Sequence, residues 1–502
     1  MVEQGAGEAP TDPPEKHGEL RVAAAQGAKW NFLQIIVTQG GRLAFTFVLA
    51  RLLGPESFGI MAQATIYVGF TLLVLDQGFA VALVQKKVLD DRDIGAVRVL
   101  NLAAGAVMAG ATLVAAPAIA DFFHTPELTA VLRVLAVSVL LKSFQIVPQA
   151  LVRRELLYRA QSIVQIVAMV TGGVVGVASA LLGADYWALV VQTIVTDVAI
   201  LIGLRMIKPT PRTPLAGTFG NLRAMWGFSV GILGSRFLSY FGSNVDNLLI
   251  GRFESATSLA FYALSYRFLR LPLEMIGSVV NNVALPVFAK LQDDQARLRA
   301  WYLQATGFVA LVSYPILALL VVGAPDGIPL AFGEEWQPAS TPLQILSLGG
   351  MLFVVRMQMA PMAQAKGRSD LVFWWSLITF GLQGAAFLVG VQYGIVGVAL
   401  AYLIVQAVTT PPNVVHFGRL IDMRLSEFLA AVAPAFTGAL VMAAAWEAVS
   451  LSLEQLSDVP TLGRLAAATA VALPVYVGTI RALWPARFGA ARNMFVTMAG
   501  RG

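Results

Sequence analysis

Seven basic side chains, Arg42, Arg133, Lys142, Arg236, Arg267, Arg270 and Arg356, stand in otherwise apolar stretches of this chain. The acids set against them are Asp76, Asp197, Asp246 and Glu274, which stand in the same or in neighbouring apolar stretches. A guanidinium offers planar N–H donors in a fork that matches diphosphate oxygens better than a point charge does, so surplus arginine suits an anionic ligand. Carboxylates in such places either pair with the bases or carry a coupling proton or sodium ion. Arg270 and Glu274 are four residues apart, so they can neutralise each other on one helix face. Arg42, Arg236, Arg267, Arg270 and Arg356 are therefore the candidate ligand-binding cations, and Asp76, Asp197, Asp246 and Glu274 the candidate coupling or charge-pairing acids. Arg133 is near the end of its stretch and can reach the membrane interface. The chain has no cysteine, which excludes disulfides, thiolate metal sites and thiol nucleophiles, and His17, His124 and His416 are too scattered to form a metal site. No metal, catalytic residue or cofactor is expected.

The elements that hold these charges must be membrane helices. The 502 residues are 57% hydrophobic and 13% charged, and the mean hydropathy is +0.72, too apolar for a soluble globule. A bilayer core needs roughly 20 apolar residues per helix. About fourteen such runs can be marked, near 28–50, 58–84, 97–119, 128–151, 159–182, 186–206, 226–250, 256–285, 302–323, 341–362, 370–391, 395–416, 427–448 and 462–482. Lipid offers no partner for an unpaired backbone N–H or C=O, and the runs lack the period-two alternation of barrel strands, so each must be a helix.

Lys and Arg concentrate in every second gap between the runs, as in Lys86, Lys87, Arg92 and Arg98, whereas the alternate gaps hold only Arg51, Arg252 and Arg464. The positive-inside rule then places both termini in the cytoplasm and explains the net charge of +6 without nucleic acid. The segment closing the first run, Leu49 to Gly59, resembles the one closing the seventh, Leu249 to Tyr262. Aligning Arg51 with Arg252 puts six spans in each copy, the plan of a transporter built from two repeated halves around a midplane cavity. The expected organisation is a disordered cytoplasmic tail (1–25), an N-terminal six-helix lobe (26–210), a C-terminal six-helix lobe (211–420), two extra helices (421–485) and a second tail (486–502).

Seven lipid-facing cations would cost on the order of 20 kcal/mol, so most must face protein or water. Helical spacing gathers Asn31, Gln34, Thr38, Arg42 and Thr46 into one stripe. It gathers Ser229, Arg236, Ser239, Ser243 and Asp246 into a second, and Arg267, Arg270, Glu274, Ser278 and Asn281 into a third. Gly40-Gly41 either bends the first helix or lets a neighbour pack closely. Tyr67, Tyr240, Tyr262 and Tyr266 either stack on sugar rings or serve as core and interface anchors. The small residues of the last two spans suit tight packing, or a groove for an acyl chain.

Together with Arg51-Leu52-Leu53-Gly54-Pro55, Phe58-Gly59, Asp246-Asn247-Leu248-Leu249-Ile250-Gly251-Arg252, Tyr262 to Arg267 and Val283-Ala284-Leu285-Pro286, the span plan resembles the multidrug/oligosaccharidyl-lipid/polysaccharide exporter superfamily. Within it, the chain is similar to bacterial polysaccharide flippases. The resemblance covers nearly the whole chain and implies two six-helix lobes forming a V that rock between inward- and outward-facing states, in the bacterial inner membrane. It implies an undecaprenyl-diphosphate-linked oligosaccharide as cargo, for exopolysaccharide, capsule or O-antigen synthesis. Membrane lipids and polysaccharide polymerase or export machinery would be its partners. In relatives that move lipid-linked peptidoglycan precursor, arginines on the first and eighth spans engage the pyrophosphate; Arg42 and Arg267 or Arg270 fall on those spans here. The drug/cation antiporter branch of the same superfamily relies on carboxylates and is the alternative. A membrane glycan polymerase is a further one, against which the largest outer gap, Ala324 to Pro338 with Asp326, Glu334 and Glu335, is short.

The span map predicts that topology reporters fused after Arg252 and after Arg299 report opposite sides of the membrane; two reporters on one side break it.

Overall fold

Helix satisfies the backbone where lipid cannot, and the computed structural model, which describes residues 14–75, 83, 90–209, 237, 240–455, 459–485 and 489, contains no strand among the described residues. The helices are α1 (Pro14–Leu75), α2 (Asp91–Phe123), α3 (Glu127–Arg154), α4 (Tyr158–Leu181), α5 (Trp187–Ile207), α6 (240–253) and α7 (Ala256–Leu291). They continue with α8 (Gln295–Phe332), α9 (Ser340–Val354), α10 (Met359–Ala365), α11 (Ser369–Gly390), α12 (Gly394–Gly418), α13 (Leu425–Glu454) and α14 (Thr461–Leu483). Ten helical stretches among the described residues are long and apolar enough to cross a bilayer. Two of these, Val37–Leu75 and Ser369–Ile421, each hold two of the expected spans. The chain is a multi-pass, all-helical membrane protein.

Two expectations are corrected. The first helix keeps helical dihedrals through Gly40-Gly41, so of the two readings of that pair close packing holds, and the break falls at Gly54, inside the expected gap between the first two spans, where a φ of 68° that only glycine adopts cheaply precedes Pro55. Residues 14–25, expected in a disordered tail, are helical from Pro14 onward; proline fits the first helical position, where no N–H donor is needed. The tenth expected span is interrupted at 355–358, between α9 and α10.

Two compact units emerge, one of Met1–Leu53 with Ala64–Phe241, the other of Gly54–Gln63 with Gly242–Gly502. The first therefore runs past residue 210, and the second takes in α13 and α14, set apart in the sequence reading. In the first unit small residues bring helices together, as lipid-solvated packing requires. Gly41 lies under Met169, and an added Cβ would come within 2.4 Å of its Cε; Gly173 lies equally close to the Phe45 ring.

In the second unit the 54–63 segment forms a joint. Phe58 meets Trp336 edge-on at 5.5 Å, and the Gln63 Nε2 donates to the Gly251 carbonyl at 3.5 Å. A Cβ on Gly59 would sit 1.9 Å from the Ala256 carbonyl oxygen, so only glycine admits the approach to the start of α7. The Pro-x-x-Phe-Gly pattern is thus explained by packing. The last two helices clamp onto α8 at both ends and in the middle. Arg464 pairs with Asp326 at 2.7 Å, the Tyr476 hydroxyl donates to the Leu311 carbonyl at 2.8 Å, and Arg299 pairs with Glu427 in the first turn of α13 at 3.8 Å while donating to the Asp422 carbonyl just before it at 2.8 Å. That clamp is why α13 and α14 belong to this unit. It also occupies Asp326, an acid of the outer gap.

Gly59→Ala should lower the thermal midpoint of the detergent-solubilised protein, at an overpacking cost of about 1–3 kcal/mol. Gly40→Ala, with nothing within 4 Å of the added carbon, should not lower it. Equal behaviour of the two variants would remove the joint.

Candidate functional site

Helix α7 begins at Ser255, whose side chain accepts from the Ser258 N–H at 3.0 Å and caps the first turn. Every fourth residue then falls on one face: Tyr262, Tyr266, Arg270 and Glu274. The row starts in the interior. Tyr262 is fully buried, and its hydroxyl donates to the Asp246 carboxylate at 3.0 Å. Asp246 is itself buried and also accepts from the backbone N–H of Asn247 at 2.8 Å. Tyr266 stacks on Tyr262 with ring centroids 6.0 Å apart and planes 15° from parallel. The Arg270 guanidinium lies 5.9 Å over the Tyr266 ring. Its Nε and Nη2 donate to one Glu274 oxygen at 3.0 and 2.9 Å, with side chains 47% and 51% exposed.

The row therefore runs from a satisfied interior carboxylate to an accessible ion pair. Exposed i,i+4 pairs contribute only about 0.3–0.5 kcal/mol, so another anion can take Glu274's place on Arg270 at small cost. Arg267 lies three residues earlier on the same face and is half-buried.

Arg356 occupies the interruption between α9 and α10. It donates to the Gln406 side-chain oxygen, lies 3.4 Å from the Thr409 hydroxyl and 5.6 Å over the Phe353 ring. Tyr402, on the same face of α12 as Gln406 and Thr409, packs on Gly349 of α9, and the next residue, Gly350, packs under Leu269 of α7, so α9 joins this corner to α7. The second unit thus brings together Asp246, Arg267, Arg270, Glu274 and Arg356. Among these, the α12 partners Tyr402, Gln406 and Thr409 were missed in the sequence reading, although their 402–406–409 spacing is a one-face helical pattern.

In the first unit Arg42 is exposed and has no carboxylate partner among the described residues. The rest of its described stripe is drier than expected. Thr38 and Thr46 are buried and spend their hydroxyls on the carbonyls of Gln34 and Arg42 one turn back, at 2.6 and 2.7 Å, while Gln34 accepts from Ser162 at 3.1 Å. That face packs against neighbouring helices. Asp197 is buried and held from α3. Lys142 pairs with it at 2.5 Å, Ser138 donates to its other oxygen, and Gln145 donates to its backbone carbonyl at 2.7 Å. Here a carboxylate and an ammonium neutralise each other between α3 and α5. Arg133 is exposed in the second turn of α3. Asp76 and Arg236 lie outside the described residues, as do the side chains of Asn31, Ser278 and Asn281. No group of three His, Asp or Glu side chains able to hold a metal occurs among the described residues.

A family model described as "Polysaccharide biosynthesis protein" matches residues 48–341. The teichuronic acid biosynthesis protein TuaB of Bacillus subtilis (strain 168) is 28% identical over 390 residues, spanning 77% of this chain and 81% of its own. The lipopolysaccharide biosynthesis protein WzxC of Escherichia coli (strain K12) is 26% identical over 78% of this chain and 80% of its own. The succinoglycan biosynthesis transport protein ExoT of Rhizobium meliloti (strain 1021) is 26% identical over 76% and 77%. Among solved structures, the lipid II flippase MurJ in an inward closed conformation matches with a TM-score of 0.69 at 13% identity, over 92% of this chain and 99% of that one. An inward-facing multidrug resistance MATE family transporter of the MOP superfamily matches with a TM-score of 0.59 at 15% identity, over 77% and 96%. At these identities the two structures speak to the fold alone.

Breaking the α3–α5 ion pair on one side leaves an uncompensated charge, at about 3–5 kcal/mol, whereas an apolar pair of similar volume is close to neutral. Asp197→Leu should therefore cut the yield of folded protein in size-exclusion profiles, and the double variant Lys142→Met/Asp197→Leu should recover most of it. Failure of the double variant to recover would give Asp197 a role beyond pairing.

Proposed function

Because this chain belongs to the polysaccharide biosynthesis protein family, we propose that it is a flippase moving an undecaprenyl-diphosphate-linked oligosaccharide from the cytoplasmic to the periplasmic leaflet of the bacterial inner membrane. Relatives named for teichuronic acid, lipopolysaccharide and succinoglycan biosynthesis support a lipid-linked glycan as cargo. The observation that carries the reading is the accessible Arg270, which lies over the Tyr266 ring in an exchangeable helical ion pair and is backed by Arg267 on the same face.

Unassisted transfer is prohibitive, since a diphosphate and several sugars would shed water in hydrocarbon, each unpaired polar group costing several kcal/mol. In the proposed mechanism Arg267 and Arg270 exchange Glu274 and their other contacts for diphosphate oxygens. Arg42, Arg356 and Arg236 add positive charge, and the polyprenyl tail stays in the bilayer. Alternating access of the two lobes then presents the head group to the opposite leaflet. Arginine stays charged at physiological pH, so release requires a change of geometry or of the surrounding field. Asp197 is already matched to Lys142, which leaves Asp246, Glu274 and Asp76 to carry a coupling proton or sodium ion. An inside-negative potential also favours outward movement of an anion, by about 2.3 kcal/mol per charge per 100 mV. Both termini are cytoplasmic in this reading, and a polysaccharide polymerase or export complex receives the product. The protein acts as a transporter rather than an enzyme. The drug/cation antiporter alternative shares the fold, but arginine surplus suits anions.

A deletion strain should accumulate complete lipid-linked repeat units on the cytoplasmic side; accumulation of single units already flipped would indicate a polymerase instead. Losing one charge-assisted contact costs about 1.5–3 kcal/mol, so Arg270→Glu should lower export roughly tenfold or more at normal membrane levels. Full export by that variant removes Arg270 from the site.

A further inference from the structure

Lys142 with Asp197 ties α3 to α5, and Arg464 with Asp326 ties α14 to α8. The Arg270–Glu274 pair ties no two helices together, since both side chains stand on α7, one turn apart, and both are half exposed. An exposed i,i+4 pair returns only a small part of what a second charge costs in an apolar span, so folding gives no reason for an acid at 274. The reason must lie in what Arg270 does.

A transporter that carries one anion per cycle must also return empty. Once the cargo leaves, Arg270 makes the return as an unmatched cation unless another anion meets it, and a guanidinium kept from both water and counter-charge is costly in a bilayer. An acid on a neighbouring helix serves poorly, because alternating access changes the distances between helices. Four-residue spacing along one helix does not change. Glu274 therefore stays within reach of Arg270 whichever leaflet the site faces. The other acid of the row is committed: Asp246 is buried and accepts from the Tyr262 hydroxyl at 3.0 Å and the Asn247 N–H at 2.8 Å. Glu274 holds Arg270 through one carboxylate oxygen, with Nε at 3.0 Å and Nη2 at 2.9 Å. Two long, half-exposed side chains can part and meet again by rotamer changes, with the helix backbone still.

We infer that Glu274 is a tethered substitute for the cargo anion, which neutralises Arg270 in the unloaded protein so that the empty site can return, and yields Arg270 to the diphosphate on loading. This rests on the flippase reading and adds the return step to it. Loading and unloading each replace one anion by another on the same guanidinium, so the cation is matched throughout the cycle. A neutral side chain at 274 would leave the loaded half of the cycle matched and the empty half unmatched.

The test separates net transfer from exchange. Vesicles holding the full chain receive a fluorescent short-chain polyprenyl-diphosphate glycan in the outer leaflet, in excess over protein, and inward passage is read as protection from a membrane-impermeant quencher. With no cargo in the inner leaflet every cycle needs an empty return; with unlabelled cargo there, the site can return loaded. In Glu274→Gln, which keeps the side-chain shape and loses the charge, the ratio of initial net rate to initial exchange rate should fall about tenfold or more below that of the wild type. Glu274→Asp should restore most of the ratio. Cargo affinity of Glu274→Gln should shift by no more than about twofold, so weaker binding does not produce the split. An unchanged ratio in Glu274→Gln, whether both rates fall together or neither falls, overturns the role of Glu274 and leaves the flippase reading standing. Wild-type vesicles that transfer no label in either arm overturn both.

Discussion

Charge inside a bilayer must be matched, and the pairing of each intramembrane cation shapes the rest of this protein. A lone arginine or lysine at mid-span costs about 2.5–3.5 kcal/mol even by the milder scales, so what each one meets separates structural charges from exchangeable ones. Lys142 is cancelled by Asp197 and joins two helices of the first unit. Arg464 is cancelled by Asp326 and fastens the final hairpin to α8. These pairs are structural, because partner and cation are both committed. Arg270 differs in being accessible and loosely held, and Arg356 in being half-buried against the neutral oxygens of Gln406 and Thr409 among the described residues. Function is sought where the matching is incomplete.

Packing supplies the frame on which that chemistry stands. Helices in lipid gain nothing by burying leucine against leucine, so close approach of small residues and interhelical hydrogen bonds must hold them. The 54–63 segment shows both devices at once: Gly59 meets the Ala256 carbonyl and Gln63 reaches Gly251. These contacts set where α7 begins, and hence where the Tyr262–Glu274 row lies. A motif that looks functional from its position beside a charged loop is in this way a joint, and the functional row is placed by it.

Much of this was legible in residue order. The spans follow from the length of apolar runs, because bilayer thickness fixes that length, and the α7 row follows from four-residue spacing of charged residues. The α12 partners of Arg356 escaped notice because glutamine and threonine raise no alarm in an apolar helix, although 402, 406 and 409 share a face. The interruption at 355–358 precedes Pro361, which has no N–H for the Met357 carbonyl, but a proline inside an apolar run does not by itself mark a break, as Pro315 and Pro325 within the continuous α8 show. Gly40-Gly41 left bend and close packing open, and Met169 over Gly41 decides for packing, while the gap between the first two runs holds the break at Gly54, set by its positive φ and the following proline. Which acids pair and which remain exchangeable depends on tertiary distances, and spacing along one helix shows only the Arg270–Glu274 case.

The central claim, that these cations carry a lipid-linked anionic head group across the membrane, is tested most directly by reconstitution. The purified protein is placed in vesicles with a fluorescent short-chain polyprenyl-diphosphate glycan, and a membrane-impermeant quencher is added outside. The account predicts that quenching proceeds beyond the outer-leaflet fraction towards completion in vesicles holding the protein, and stops at that fraction in empty ones. Quenching that stops at the outer-leaflet fraction in both would contradict it.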